Sequence, residues 1–262
     1  MNYQFCSQTH TGQVRNNNED AVAFDEATNL AILADGMGGY SAGEIASGMT
    51  TTFLIAELGR WLSEAGDLAS AGDIKRAMEI CVGNANRAVF NAARANPEYA
   101  GMGTTLIVAV FRANLLLLGH VGDSRCYCLR GTEFEQITKD HSLLQEQLDA
   151  GWLTPRQAAN SPIKNLVTRA VGVEDAVLLE LNERQVLSGD IYLMCSDGLS
   201  DMMEDAAMAD ILSRGSTLTQ MADALVARAN DNGGRDNISV LLVQALGLPE
   251  KRPLISRWLR KQ

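Results

Sequence analysis

The stretch Asn29-Leu30-Ala31-Ile32-Leu33-Ala34-Asp35-Gly36-Met37-Gly38-Gly39 carries the first sign of how this chain folds. Leu30–Ala34 is an apolar run of the length of one buried strand. It ends at Asp35, and three of the next four residues are glycine. A carboxylate at the end of a rigid strand is well placed to hold a metal ion. Glycines beyond it, lacking Cβ, let the backbone turn sharply and approach a ligand closely. Taken alone, the stretch reads equally as a strand and a flexible turn.

The pattern recurs. Tyr192–Cys195 is apolar and ends in Ser196-Asp197-Gly198, and Leu115–Leu118 runs into Gly119-His120-Val121-Gly122-Asp123-Ser124. Asp236, in Gly233-Gly234-Arg235-Asp236-Asn237, stands just before the run Ile238–Val243. In antiparallel pairing the end of one strand lies beside the start of the next. The four aspartates are therefore expected to meet at one rim of a sheet, where an all-oxygen ligand set suits Mg²⁺ or Mn²⁺. Asp35 is the best candidate to bridge two ions, with the Gly36 carbonyl beside it. Asp197 and Asp236 would complete one metal, and Glu19 and Asp20 would hold waters on the other. Two adjacent ions lower the pKa of a shared water and stabilise in-line displacement at phosphorus. Arg15, shortly before Glu19, has the planar guanidinium that binds phosphate in bidentate fashion. Alone, Arg15 is an ordinary surface residue, and Glu19 and Asp20 a solvated turn.

The bulk properties fit this picture. The chain has 262 residues, 46% of them hydrophobic and 21% charged, enough for a sizeable core. A net charge of −10 disfavours nonspecific nucleic-acid binding. The start, Met1-Asn2-Tyr3-Gln4-Phe5-Cys6, lacks the pattern of a signal peptide, and no apolar stretch reaches the roughly 20 residues of a membrane span. Five scattered cysteines without a CxxC pair read as reduced thiols, so a cytoplasmic location is expected.

In chain order, strands are expected at Tyr3–Thr9, Ala21–Phe24 and the opening stretch. A long helix should follow from a capping box at Ser41 and Glu44 to about Ser63, then a second from about Asp73 to Asn96. Hairpins are expected over Leu106–Val121 and Arg125–Thr138. The polar segment 140–165, broken by Pro155 and Pro162, reads as a helical insertion on the rim. Strands resume near Val177 and at Asp190–Cys195, helices follow at Glu204–Ser213 and Thr217–Asn230, and a strand at Ile238–Ala245 closes the fold. Strands in blocks and helices in pairs indicate an α+β fold, antiparallel sheets with helices outside, not alternating βαβ units. A basic tail, residues 247–262, carries Lys251, Arg252, Arg257, Arg260 and Lys261. It reads as a frayed terminus or as a docking or membrane-surface segment anchored by Trp258.

Competing chemistries find little support. There is no GxxxxGK[ST] loop and no HExxH helix. Cys81 and Arg87 have the Cx₅R spacing of cysteine phosphatases but fall mid-helix. His120 sits within a strand and reads as structural. His141, at the start of the insertion, could approach substrate or simply pack.

The ordered set Arg15…Asn18-Glu19-Asp20, Ala34-Asp35-Gly36-Met37-Gly38-Gly39, Gly103-Thr104-Thr105, Gly122-Asp123-Ser124-Arg125, Asp140-His141-Ser142, Thr168-Arg169-Ala170-Val171-Gly172, Ser196-Asp197-Gly198-Leu199 and Gly234-Arg235-Asp236-Asn237 resembles the metal-dependent protein phosphatase family, type 2C, in its bacterial form. The resemblance covers about residues 3–245. It implies a four-layer α-β-β-α sandwich with the catalytic domain over residues 1–246 and a flap at about 140–165. It implies Mn²⁺- or Mg²⁺-dependent hydrolysis of phosphoserine and phosphothreonine in proteins, opposing a bacterial Ser/Thr kinase. By motif, Asp35, Asp197 and Asp236 hold the first metal, and Asp35 with the Gly36 carbonyl the second. Asp123 with Asp197 holds a weaker third, and Arg15 binds phosphate. Family members often carry a proposed acid catalyst, a histidine, where this chain has Met37 or Tyr40. Three proton donors stay open: Tyr40, His141 or a metal-bound water. A binding module that had lost its catalysis would be expected to lack some of these acids. A two-metal hydrolase of small phosphate esters is the remaining rival.

Overall fold

The computed structural model describes residues 1–39, 42–154, 157 and 166–247. The chain begins with three strands, β1 (Asn2–His10), β2 (Asp20–Asp25) and β3 (Leu30–Met37), and two long helices, α1 (Ala42–Ala65) and α2 (Ala71–Ala95). Five strands follow, β4 (Gly103–Thr104), β5 (Leu106–Arg112), β6 (Leu115–Val121), β7 (Arg125–Arg130) and β8 (Glu133–Gln136). Then come the short helix α3 (Leu143–Asp149), β9 (Glu180–Gln185) and β10 (Ile191–Cys195). A single turn α4 (Asp197–Ser200), helices α5 (Asp205–Ser213) and α6 (Leu218–Asp231), and β11 (Ile238–Leu246) complete it.

The strands form two antiparallel sheets, ordered β1-β11-β10-β7-β8 and β2-β3-β5-β6-β9, with β4 pairing the far end of β3. Period-2 alternation sorts each strand between two cores. Ala31 and Leu33 of β3 meet Phe111, Tyr192, Met194 and Leu241 between the sheets. Leu30 and Ile32 point the other way, onto Leu54, Leu58, Met78 and Val82 of α1 and α2. Leu193 and Leu242 of the first sheet pack likewise on Met208, Leu212, Leu225 and Val226 of α5 and α6. Both faces of each sheet are covered, which is why the strands read as unbroken apolar runs. The result is the expected α-β-β-α stack.

Several local expectations need correction. The strand expected over Leu30–Ala34 does not stop before Asp35; β3 continues to Met37, pairing Gly36 with Thr104. The second helix starts earlier, because Ser70 and Asp73 form a reciprocal capping box. The strand expected near Val177 begins at Glu180. Ser41 and Tyr40, most of the insertion from Pro155 to Asn165, and the tail beyond Gly247 lie outside the described residues. The insertion's ends meet through an isolated bridge between Ser142 and Val167. Among the described residues no helix is long and apolar enough to cross a membrane.

Candidate active site

The four aspartates do converge, but on both sheets rather than one. Asp35 lies on β3 and Asp123 just past β6, in one sheet. Asp197 follows β10 and Asp236 precedes β11, neighbours in the other. All four, with Glu19, Arg15 and Gly36, line one pocket of about 280 Å³ at the shared edge of the sandwich. Asp20 does not line it. It sits behind, its Oδ2 accepting from Ser196 Oγ at 2.7 Å, while Oδ1 is buried without a partner.

Short polar contacts fix the chain around Asp35, Glu19 and Asp236. The Asp35 carbonyl accepts from Thr105 N–H and Thr104 Oγ1, both at 2.8 Å, and the Asp35 N–H donates to Thr105 Oγ1 at 3.0 Å. Thr105 Oγ1 also meets Ser124 Oγ at 2.7 Å, tying the Asp35 strand to the residue after Asp123. Gly36 N–H donates to the Glu19 carbonyl at 3.0 Å. A Cβ on Gly36 would run into the Gly43 carbonyl and stand 2.5 Å from that of Glu19. Its glycine therefore serves close packing inside a strand, not the turn expected from sequence. Asn237 is the hub on the other sheet. Its Oδ1 accepts from Glu19 N–H at 2.8 Å, and its Nδ2 donates to the carbonyls of Thr11 and Asn17 at 2.9 and 2.8 Å. The loop carrying Arg15 and Glu19 is thus stitched to the neighbour of Asp236. Arg15 Nη2 itself rests on Asp236 Oδ2 at 2.6 Å.

Crowded, partly desolvated carboxylates resist ionisation. Asp35 is raised well above the usual range, by desolvation first and then by Asp20, Asp197 and Asp123. Asp197 is raised well too, by desolvation and then by Asp123 and Asp236. Desolvation pushes Asp123 up to about 6, with the charge of Asp140 adding. A pocket of acids that repel one another, all offering oxygen, fits a hard divalent cation, which would relieve the strain.

Residues 8–242 match the family described as protein phosphatase 2C. The chain belongs to that family. The Ser/Thr phosphatase stp of Listeria innocua is 37% identical over 240 residues, covering 90% of this chain and 94% of that one. The solved structure of the Mycobacterium tuberculosis Ser/Thr phosphatase PstP superposes with a TM-score of 0.86 at 35% identity, covering 94% of this chain and all of that one. A PstP catalytic domain solved with two manganese ions gives 0.81 at 35% identity, covering 94% and 99%.

Within this phosphatase 2C fold, two more groups flank the pocket. Arg125 grips Asp140 through Nε and Nη2, at 2.7–3.0 Å. His141 is buried, stacked on His120 with ring centroids 4.6 Å apart and planes 10° from parallel. His120, His141 and Glu180 bring potential ligand atoms within 4.8 Å of one another. Two of the four ring nitrogens are committed elsewhere: His141 Nδ1 accepts from Gly122 N–H at 3.1 Å, and His120 Nε2 donates to the Lys139 carbonyl at 2.9 Å, which leaves the His120 Nδ1 lone pair buried without a partner. Parallel stacking also keeps the two rings from aiming in-plane at one ion. His141 is not among the residues that line the pocket. Glu180 and the roles of Asn237 and Ser196 were not foreseen; each depends on contacts across more than 30 residues of sequence.

Proposed function

We propose that this chain is a Mn²⁺- or Mg²⁺-dependent phosphatase that hydrolyses phosphoserine and phosphothreonine in proteins. The observation that carries the reading is the single pocket where Asp35, Asp123, Asp197, Asp236 and Glu19 face Arg15. Bound ions would supply an acidified water and stabilise charge at phosphorus. Asp35 would bridge two ions beside the Gly36 carbonyl, with Asp197 and Asp236 completing one of them. Glu19 would reach the other through water. Asp20, behind the wall, would act by holding Ser196 and by adding negative charge. Asp123 with Asp197 would hold a weaker third ion. Arg15, half exposed at the rim, would leave Asp236 to take a phosphate oxygen pair.

The catalytic domain spans residues 1–246, with the flap over 140–165 and a basic tail at 247–262 that docks a partner or a membrane surface. Its substrates include a bacterial Ser/Thr kinase. Five free cysteines, four of them buried, support a reducing, cytoplasmic setting. The test is hydrolysis of a phosphothreonine peptide, a sugar phosphate and p-nitrophenyl phosphate after EDTA treatment and after Mn²⁺ addition. Activity should vanish with EDTA, return with Mn²⁺ and favour the phosphopeptide. Full activity after exhaustive metal removal would overturn the reading, and preference for the sugar phosphate would favour the small-ester rival.

A further inference from the structure

His141 grips one residue, Gly122, at two points. Its backbone N–H donates to the Gly122 carbonyl at 2.9 Å, and its imidazole Nδ1 accepts from the Gly122 N–H at 3.1 Å. Gly122 is the residue before Asp123. It has φ of 101°, a conformation open chiefly to glycine, and a Cβ there would stand 2.7 Å from the Thr105 side chain. The chain at Gly122 is therefore pressed against Thr105 on one side and bracketed by His141 on the other.

The bracket works with one tautomer only. A proton on Nδ1 would face the Gly122 N–H, donor against donor. With Nδ1 as acceptor, the proton sits on Nε2, which donates to Glu180 Oε2 at 3.0 Å. Glu180, at the start of β9, thus selects the ring form that Gly122 requires. The Arg169 guanidinium lies 3.4 Å from Nε2. The same residue joins the insertion's ends, since the His141 carbonyl accepts from Thr168 N–H at 2.8 Å.

We propose that His141 is a positioning residue for Asp123, acting through Nδ1 on Gly122 with its tautomer set by Glu180. This rests on the reading of Asp123 as a metal-holding carboxylate. Two substitutions separate the ends of the ring. In His141→Asn, Oδ1 falls where Nδ1 was and can still accept from Gly122. In His141→Gln, Nε2 falls where the ring Nε2 was and can still donate to Glu180, but the Gly122 acceptor is lost.

The experiment measures amide exchange at Gly122, Mn²⁺ affinity by calorimetry, and turnover, in the full chain with each substitution. His141→Asn should keep the Gly122 amide protected and turnover within about threefold of the parent. His141→Gln should expose that amide and lower turnover roughly ten- to a hundredfold, as loss of ligand-orienting contacts does, with the tightest Mn²⁺ sites kept. Glu180→Ala should fall between them. Equal losses in the Asn and Gln variants would mean simple packing against His120 and overturn the proposal, as would parent-like behaviour in both. Protected Gly122 in His141→Asn beside a fully active Asp123→Ala enzyme at saturating Mn²⁺ would overturn the Asp123 reading instead and leave the bracket standing.

Discussion

Asp20 and Asp35 stand directly opposite each other in the β2–β3 ladder. Side chains so placed share a face, and like charges there repel. Desolvation pushes Asp20 up to about 6, against the pull of the hydrogen bond its Oδ2 accepts from Ser196. A carboxyl whose folded pKa exceeds the unfolded value of about 3.9 favours the fold while protonated, so that contribution is present below about pH 4 and lost as pH rises through about 6. In the metal-free protein, Asp20→Asn should therefore leave stability unchanged near pH 4 and raise it by about 2 kcal/mol at pH 7.5. Thermal melts across that range check it. A stability difference independent of pH would mean that Asp20 is not strained.

Arg15 pairs with Asp236 through Nη2, at 2.6 Å from Oδ2. Its pairing energy is modest at this exposure, so a phosphate can displace the contact. Arg15→Ala should raise KM for a phosphopeptide about tenfold and change kcat little. Mn²⁺ affinity should hold or tighten, because Asp236 loses a competing cation. A fall in kcat alone, with KM unchanged, would show that Arg15 does not bind ground-state phosphate.

Gly36 has no room for a side chain. Gly36→Ala should cost roughly 3 kcal/mol or more, since the obstructing atoms are backbone carbonyls that cannot rotate away. It should also weaken Mn²⁺ binding by shifting the neighbouring Asp35. Gly39→Ala is the control: nothing lies within 4 Å of its Cβ position, and its melting temperature should match the parent's.

Much of this was legible in sequence because the strands are short, apolar and punctuated. Leu30–Ala34, Tyr192–Cys195 and Ile238–Val243 mark themselves, and the acids at their ends follow. The partition of those acids between two sheets was not legible. Asp35 and Asp197 end similar runs, and nothing local says that β3 pairs with β5 while β10 pairs with β7 and β11. The same limit hid Asn237, whose partners Thr11, Asn17 and Glu19 lie more than 200 residues away. Gly36 misled for a different reason: a glycine forced by a crossing backbone looks, in sequence, like a glycine in a turn.

Asp123 is buried, with 8% of its surface exposed, and it stands apart from the Asp20–Asp35 rung while still raising Asp35 and Asp197 by its charge. Removing it should therefore act in two opposite ways. Metal-free Asp123→Ala should be more stable than the parent at pH 7.5, because a desolvated charge is gone. The same variant should still bind two Mn²⁺ ions tightly, since Asp35, Asp197 and Asp236 remain, yet lose at least tenfold in turnover, the scale on which lost catalytic electrostatics register. Asp236→Asn should behave differently, weakening the first tight site itself. Calorimetry and steady-state rates on both variants separate the cases. Loss of a tight ion in Asp123→Ala would place Asp123 in the primary cluster. Unchanged turnover at saturating Mn²⁺ would remove it from catalysis and leave its burial beside Gly122 as a purely structural matter.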